Sequence, residues 1–105
     1  VRIRKIAHPH DDSQERYLQD HLVIPAAERL GWRVYHAHDS RRSRAGFPDL
    51  TMARGFRLIF AELKAPKGKT TPEQEDWLSA LAVNAKCYVW RLADWDSGAI
   101  LEVLK

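Results

Sequence analysis

The sequence holds one cysteine, Cys87, in 105 residues. A single thiol forms no internal disulfide and cannot supply a cysteine-rich zinc site; a lone thiol fits a reducing compartment. Long apolar runs are missing as well. Stretches such as Leu58 to Ala61 fall far short of the roughly 20 residues that a membrane helix needs, and no secretory signal pattern is visible. Together these absences point to a cytoplasmic protein with no membrane partner. The sequence also lacks repeats and low-complexity stretches. The excess of one charge sign is small, a net +3, which permits a nucleic-acid partner without demanding one. A phosphate-binding loop is absent too. Gly68-Lys69-Thr70 resembles the end of one, but the place of its first glycine is taken by Leu63.

What is present reads as a packed globule. The apolar share is 45% and there are four tryptophans, a composition unlike that of disordered chains. The length suits one domain over residues 1–105, with residues 1–10 as a basic N-terminal arm. A helix is expected to start near Asp12 or Ser13, both good N-caps. Leu18, Leu22, Ala26 and Leu30 recur every four residues along it, which makes one apolar face. Pro25 falls inside this pattern and should kink or split the helix, and Gly31 should end it. Strands are predicted at Trp32 to Ala37, Asp49 to Ala53 and Arg57 to Lys64, with Arg54-Gly55 turning between the last two. The third strand is apolar on both faces at its centre, as strands inside a sheet are. A helix from Pro72 to about Ala85 should place Trp77, Leu78, Leu81 and Ala85 inward. A fourth strand follows at Tyr88 to Leu92, and Asp94 is placed to cap a last helix carrying Trp95, Ile100, Val103 and Leu104. This order, αβββαβ with a C-terminal helix, describes an α/β domain with a mixed sheet.

Three charged residues stand where packing alone does not ask for them. Asp49 opens the second strand, and Glu62 and Lys64 close the third. Strand residues two apart face the same way, so Glu62 and Lys64 project side by side. A hairpin around Arg54-Gly55 would bring Asp49 next to Glu62. Two carboxylates held together repel unless a proton or a cation intervenes. Mg²⁺ takes oxygen ligands and keeps positions open for water and phosphate. Such an ion lowers the pKa of a bound water, and Lys64 could orient that water or stabilise charge building on a phosphate. The chemistry indicated is in-line hydrolysis of a phosphodiester.

Gly46-Phe47-Pro48-Asp49, Ala61-Glu62-Leu63-Lys64 and Thr71-Pro72-Glu73-Gln74 together resemble the motifs of the PD-(D/E)xK nuclease superfamily, and among its branches those of the virus-type replication-repair nuclease (VRR-NUC) domains. The resemblance runs over residues 13 to about 104 and includes Gly31-Trp32, the segment His38 to Ser43 and Tyr88-Val89-Trp90. It implies a restriction-endonuclease-like fold, a mixed central sheet flanked by helices. It implies a Mg²⁺- or Mn²⁺-dependent DNA endonuclease. Asp49 and Glu62 would be metal ligands, the Leu63 carbonyl a possible third, and Lys64 the catalytic lysine, with Glu15 and Gln74 in support. Stand-alone members of this branch resemble homodimeric enzymes for branched DNA such as four-way junctions, in a bacterial or phage-infected cell. The alternatives are a non-catalytic or general DNA-binding or nicking module on the same scaffold, and an RNA-directed or toxin-like nuclease.

Two supporting residues admit a plainer reading. Thr71-x-x-Gln74, with Pro72 at the first helical position, is a capping box, and a glutamine bent back to the Thr71 amide would not reach DNA. Asp12-x-x-Glu15 could likewise cap the first helix. Arg41, Arg42 and Arg44 precede Asp49, and Lys67 and Lys69 follow Lys64. These five are candidate phosphate contacts, although a solvated loop is the commoner fate of such residues. His8, His10, His36 and His38 lack a matching third metal ligand and are expected to be surface or core residues. Cys87 is expected to be buried in the fourth strand and inert.

Overall fold

The computed structural model describes residues 11–37 and 44–105. Arg41, Arg42, the N-terminal arm, His8, His10 and His38 lie outside these. The first helical rod has three consecutive parts: α1 (Asp11–Tyr17), a π-helical segment (Leu18–Val23) and α2 (Ile24–Arg29). Then come β1 (Arg33–His36), β2 (Leu50–Arg54), β3 (Arg57–Leu63), α3 (Pro72–Ala82), β4 (Lys86–Trp90), α4 (Leu92–Asp96) and α5 (Ala99–Leu104). The strands form one sheet in the order β1-β2-β3-β4. β1, β2 and β3 run antiparallel in sequence, and β4 joins β3 in parallel through the α3 crossover. β3, the strand with the longest apolar centre, is therefore internal. Residues Ile59 to Leu63 are all buried along it.

The proline neither kinks nor splits the rod in the expected way. A regular α-helix would direct the carbonyl of residue 21 into the Pro25 ring. Here the ladder opens by one residue just before it, and the Ile24 N–H donates to the Gln19 carbonyl, five residues back. Pro25 then falls in the first turn of α2, where its missing N–H is not needed. The apolar face shifts accordingly. The fully buried positions are Leu18, Val23 and Ala27, spaced five and then four apart, in place of the even spacing of four. Leu22 and Ala26 pack at the margin of the core, and Leu30 is exposed.

Leu18, Val23 and Ala27 meet Leu50, Met52, Ile59, Ala61 and Leu63 of the sheet, with Trp32, Trp90, Leu92, Ile100 and Leu104 closing the same core. Among the described residues, the opposite sheet face carries an aromatic cluster. Phe47 inserts edge-on between Phe60 (ring centroids 5.9 Å) and Trp77 (5.0 Å). Of the four α3 residues expected inside, Leu78 is buried, whereas Trp77, Leu81 and Ala85 are only partly so.

The β2–β3 turn is Gly55-Phe56, because Arg54 pairs with Arg57 inside the ladder. Tertiary contacts explain why Arg54 stays in the strand. Its guanidinium lies 4.7 Å from the Trp32 ring centroid and donates to the carbonyls of Leu30, Leu104 and Lys105. Arg57 stacks on the same ring at 4.8 Å and donates to Val103 and Lys105. The Trp32 indole N–H donates to Leu104 at 2.9 Å. Carbonyls at the end of α5, which a helix leaves without partners, are thus capped by the hairpin. The expected last helix is two: Gly98, at φ 85°, separates α4 from α5, and Asp94 caps the first of them by accepting from the Arg91 N–H at 2.8 Å. No helix among the described residues is long and apolar enough to cross a membrane.

Candidate active site

The antiparallel register pairs Leu50 with Ala61, so the residues one step beyond, Asp49 and Glu62, face each other where β2 enters the sheet and β3 leaves it. Asp49 is held at both ends. Its carbonyl accepts from the Ala37 N–H at 3.0 Å, and its Oδ2 accepts from the Leu63 N–H at 2.8 Å. Pro48, fully buried, fixes the entry to the strand. Glu62 is 3% exposed, the only charged residue buried among those described.

Burial of two facing carboxyls has an electrostatic result. Desolvation and the neighbouring Asp49 push the Glu62 carboxyl up to about 8 from an ordinary 4.5, against a lowering pull from Lys64. Asp49 is raised too, first by burial; the Leu63 N–H, the bond from Glu62, Lys64 and His36 all work the other way. Both shifts run the same way, so near neutral pH the pair favours holding a proton over carrying two full charges. Lys64 follows on the same side. Its Nζ lies 3.8 Å from Glu62 Oε2, and its side chain is 11% exposed. The backbone N–H of Lys64 donates to the Trp90 carbonyl at 2.9 Å, which continues the β3–β4 pairing to the lysine.

Gln74 forms the capping box and also reaches Glu62. Its Oε1 accepts from the Thr71 N–H at 2.9 Å, and Thr71 Oγ1 accepts from the Gln74 N–H at 3.2 Å. Its Nε2 remains available and donates to Glu62 Oε2 at 2.9 Å. The two ends of one amide thus serve the helix and the carboxyl pair. Glu15 also faces the site, its Oε2 accepting from the Ala65 N–H at 3.3 Å. It lines a polar cleft of about 580 Å³ together with Arg16, Gln19, His36, Asp49 and Leu63.

His36, expected on the surface or in the core, belongs to this cleft wall and helps hold Asp49 ionised. The signal available in the sequence was its place at the end of β1, one residue before the Ala37 that binds the Asp49 backbone. Gln19 lies one helical turn beyond Glu15 and could have been found by that spacing. Arg44, Lys67 and Lys69 are exposed. Cys87 is partly buried in β4, and burial raises its thiol pKa, as for an unreactive thiol.

The donor set can be compared with what a cation needs. Among the described residues no group of three His, Cys, Asp or Glu side chains is placed to hold a metal ion. Two facing carboxyls that must otherwise share a proton do suit Mg²⁺ or Mn²⁺, which take one or two carboxylates and keep water and phosphate oxygens.

Comparison with known proteins bears on the family and the fold. No curated protein matches the sequence. Among solved structures, a VRR_NUC domain protein is 25% identical, with a TM-score of 0.47 and 55% of each chain covered. The Archaeoglobus fulgidus protein Hjc, a Holliday junction resolvase, is 22% identical, with a TM-score of 0.53. That match covers 72% of this chain and 64% of Hjc, so this chain spans roughly half to two thirds of the length of these relatives. The second likeness establishes the restriction-endonuclease-like architecture, a mixed four-stranded sheet flanked by helices. The sequence profile of the VRR-NUC domain matches residues 3–91, most of the chain and all three motifs, and the chain belongs to the VRR-NUC domain family.

Proposed function

We propose that the chain is a divalent-metal-dependent DNA endonuclease whose chemistry is carried by Asp49, Glu62 and Lys64. The observation that carries this reading is the pair of facing carboxyls, Glu62 buried and Asp49 half-buried, with an ammonium 3.8 Å from Glu62. Such an arrangement costs stability in the fold alone and is resolved by a cation. Asp49 and Glu62 would hold Mg²⁺ or Mn²⁺, with the Leu63 carbonyl as a further donor. When bound, the ion supplies Lewis acidity toward a phosphate oxygen and lowers the pKa of a water.

The protein's own groups do the rest. The Leu63 N–H fixes one oxygen of Asp49 and directs the other toward Glu62. Gln74 Nε2 orients Glu62, and its own flip is prevented because Oε1 is bound to Thr71. Lys64, almost desolvated, presents a positive charge that cannot disperse into solvent, which strengthens its hold on an anionic pentacoordinate phosphorus or on the attacking water. Glu15 orders the turn after Lys64. Arg44, Lys67 and Lys69 would meet flanking phosphates.

The substrate reading is branched DNA, supported by the fold likeness to a Holliday junction resolvase. One chain holds one phosphodiester, so paired cuts across a four-way junction call for two chains related by a two-fold axis. Cleavage of single-stranded, duplex, flap and four-way DNA, with Mg²⁺ and with EDTA, tests the proposal. Junction cutting that requires Mg²⁺ and is lost in Asp49→Asn, Glu62→Gln and Lys64→Ala is expected. DNA binding without cleavage under any of these conditions would make the chain a binding module on a nuclease scaffold, and a preference for RNA would place it among RNA-directed nucleases.

A further inference from the structure

We propose that Arg91 is a positioning residue for Lys64, acting through the turn that follows the lysine. This inference rests on the nuclease reading above and on Lys64 as its catalytic cation. Lys64 lies just past the last residue of β3, where a side chain would ordinarily be free to move. In this chain the backbone folds back over it. The Gly68 N–H donates to the Ala65 carbonyl at 3.0 Å and closes a tight turn. A methyl group built on Gly68 would lie 3.6 Å from Lys64 Cδ and 3.4 Å from the Ala65 backbone. Gly68 therefore lies beside the aliphatic stem of the lysine, close enough that one added methyl group would touch it.

Three bonds hold this turn, each from a different element. The Trp90 carbonyl takes the Lys64 N–H at 2.9 Å. Glu15 takes the Ala65 N–H at 3.3 Å. Arg91 reaches back from the start of α4, and its Nη2 donates to the Gly68 carbonyl at 2.6 Å in a partly buried setting. The first two fix the root of the turn, and among the described residues Arg91 is the side chain that holds its far end, beside the lysine stem. A charge-assisted bond of this length is among the stronger kinds. The α4 helix does not need the Arg91 side chain, since its cap is made by the Arg91 backbone N–H and Asp94. The side chain is therefore not required by the α4 cap, and its bond goes to the turn beside which Lys64 lies.

The test is steady-state cleavage of a fluorescent four-way junction and a linear duplex in Mg²⁺ by wild type, Arg91→Ala, Arg91→Lys and Lys64→Ala, with melting temperatures and with DNA affinity measured in Ca²⁺. Arg91→Ala should lower kcat about ten- to a hundredfold, the scale of one hydrogen bond from a charged donor. KM and DNA affinity should stay near wild type, while the melting temperature falls by several degrees because the Gly68 carbonyl loses its donor. Arg91→Lys keeps the charge and part of the reach, and should recover part of kcat. If Arg91→Ala fails to fold, Arg91→Lys carries the test through the same split between kcat and KM. An unchanged kcat overturns the proposal. A loss confined to KM and DNA affinity also overturns it, because Arg91 would then act on DNA or through Lys67 and Lys69. Full activity in Lys64→Ala is a different failure: it removes the catalytic role of the lysine and with it the nuclease site as assigned.

Discussion

Replacing Glu62 by glutamine should remove a pH dependence of stability that the metal-free protein carries. Glu62 titrates at about 8 in the folded chain against an ordinary 4.5, so the native state keeps a proton that the unfolded chain releases. A group raised in this way contributes its full stability below 4.5 and loses it as the pH climbs toward 8. At about 1.4 kcal/mol per pKa unit, the loss through Glu62 is at most about 4 kcal/mol at pH 8 and under about 1 kcal/mol at pH 5. For a domain near this size, a difference of about 3 kcal/mol corresponds to a fall in melting temperature on the order of 10 °C. Glutamine holds no titrating proton, yet it can still donate to Asp49 and accept from Gln74. In EDTA, Glu62→Gln should match wild type at pH 5, exceed it at pH 8, and show a flatter profile between. Mg²⁺ should flatten the wild-type profile as well, because the ion replaces the proton, and should raise the variant much less. Thermal melts at four pH values with and without Mg²⁺ measure all of this. A level wild-type profile in EDTA, or an equally steep one in Glu62→Gln, would refute the shared-proton account.

Three further outcomes follow from the fold. Gly46 sits at φ 88°, and a methyl group there would lie 2.5–2.7 Å from Glu73 atoms, its backbone carbonyl included, so Gly46→Ala should cost about 2–4 kcal/mol from strain and overpacking; it should also depress cleavage, because the displaced helix turn carries Gln74, and a wild-type melt would show that loop and helix are not in contact. Arg54→Ala removes three donated bonds, leaving Leu104 to Trp32 and Lys105 to Arg57 but the Leu30 carbonyl without its Arg54 donor, and should cost about 2 kcal/mol in urea unfolding, whereas kcat below the transition stays intact, since Arg54 lies about 17 Å along the sheet from Glu62 by strand rise. If Arg44 meets a phosphate, Arg44→Ala should weaken binding to every duplex and lower the slope of log affinity against log salt by about 0.9; an unchanged slope, read by fluorescence anisotropy, returns it to solvent.

The site was legible wherever a local pattern determined geometry. An apolar strand centre followed by Glu62-x-Lys64, and an antiparallel partner opening on Asp49, suffice to put the three charges together, because strand periodicity and hairpin register leave little freedom. Gly31 and Pro72 marked helix ends for the same reason. Where the outcome depended on distant partners, the pattern misled. The spacing of Leu18, Leu22, Ala26 and Leu30 suggests an even apolar face, and only the demand of Pro25 on the ladder moves burial to Val23 and Ala27. Arg54 reads as a turn residue until Trp32 and the end of α5 claim its guanidinium. Gln74 seemed to require a choice between helix and site, because a sequence does not show that one amide can satisfy both. Arg91 carried no signal at all, since its partner, Gly68, is 23 residues away.

The π-helical turn has a consequence for how the two ends of the first rod can vary. An α-helix is a screw with about 100° between residues, so every residue on an unbroken rod is locked in phase with every other. A turn closed by bonds to the fifth residue takes up an extra residue without lengthening the rod in proportion, and so it resets that phase midway. In this chain it lets Val23, its own last residue, and Ala27 of α2 face the sheet while α1 independently points Glu15 at the candidate site. The rod thus works like two keys on one shaft, each cut for its own lock. One consequence can be stated for deletions: removal of His21 would restore a single phase and bring the Pro25 ring back against a carbonyl of the preceding turn. Either the core face or Glu15 would then have to turn away from its partner.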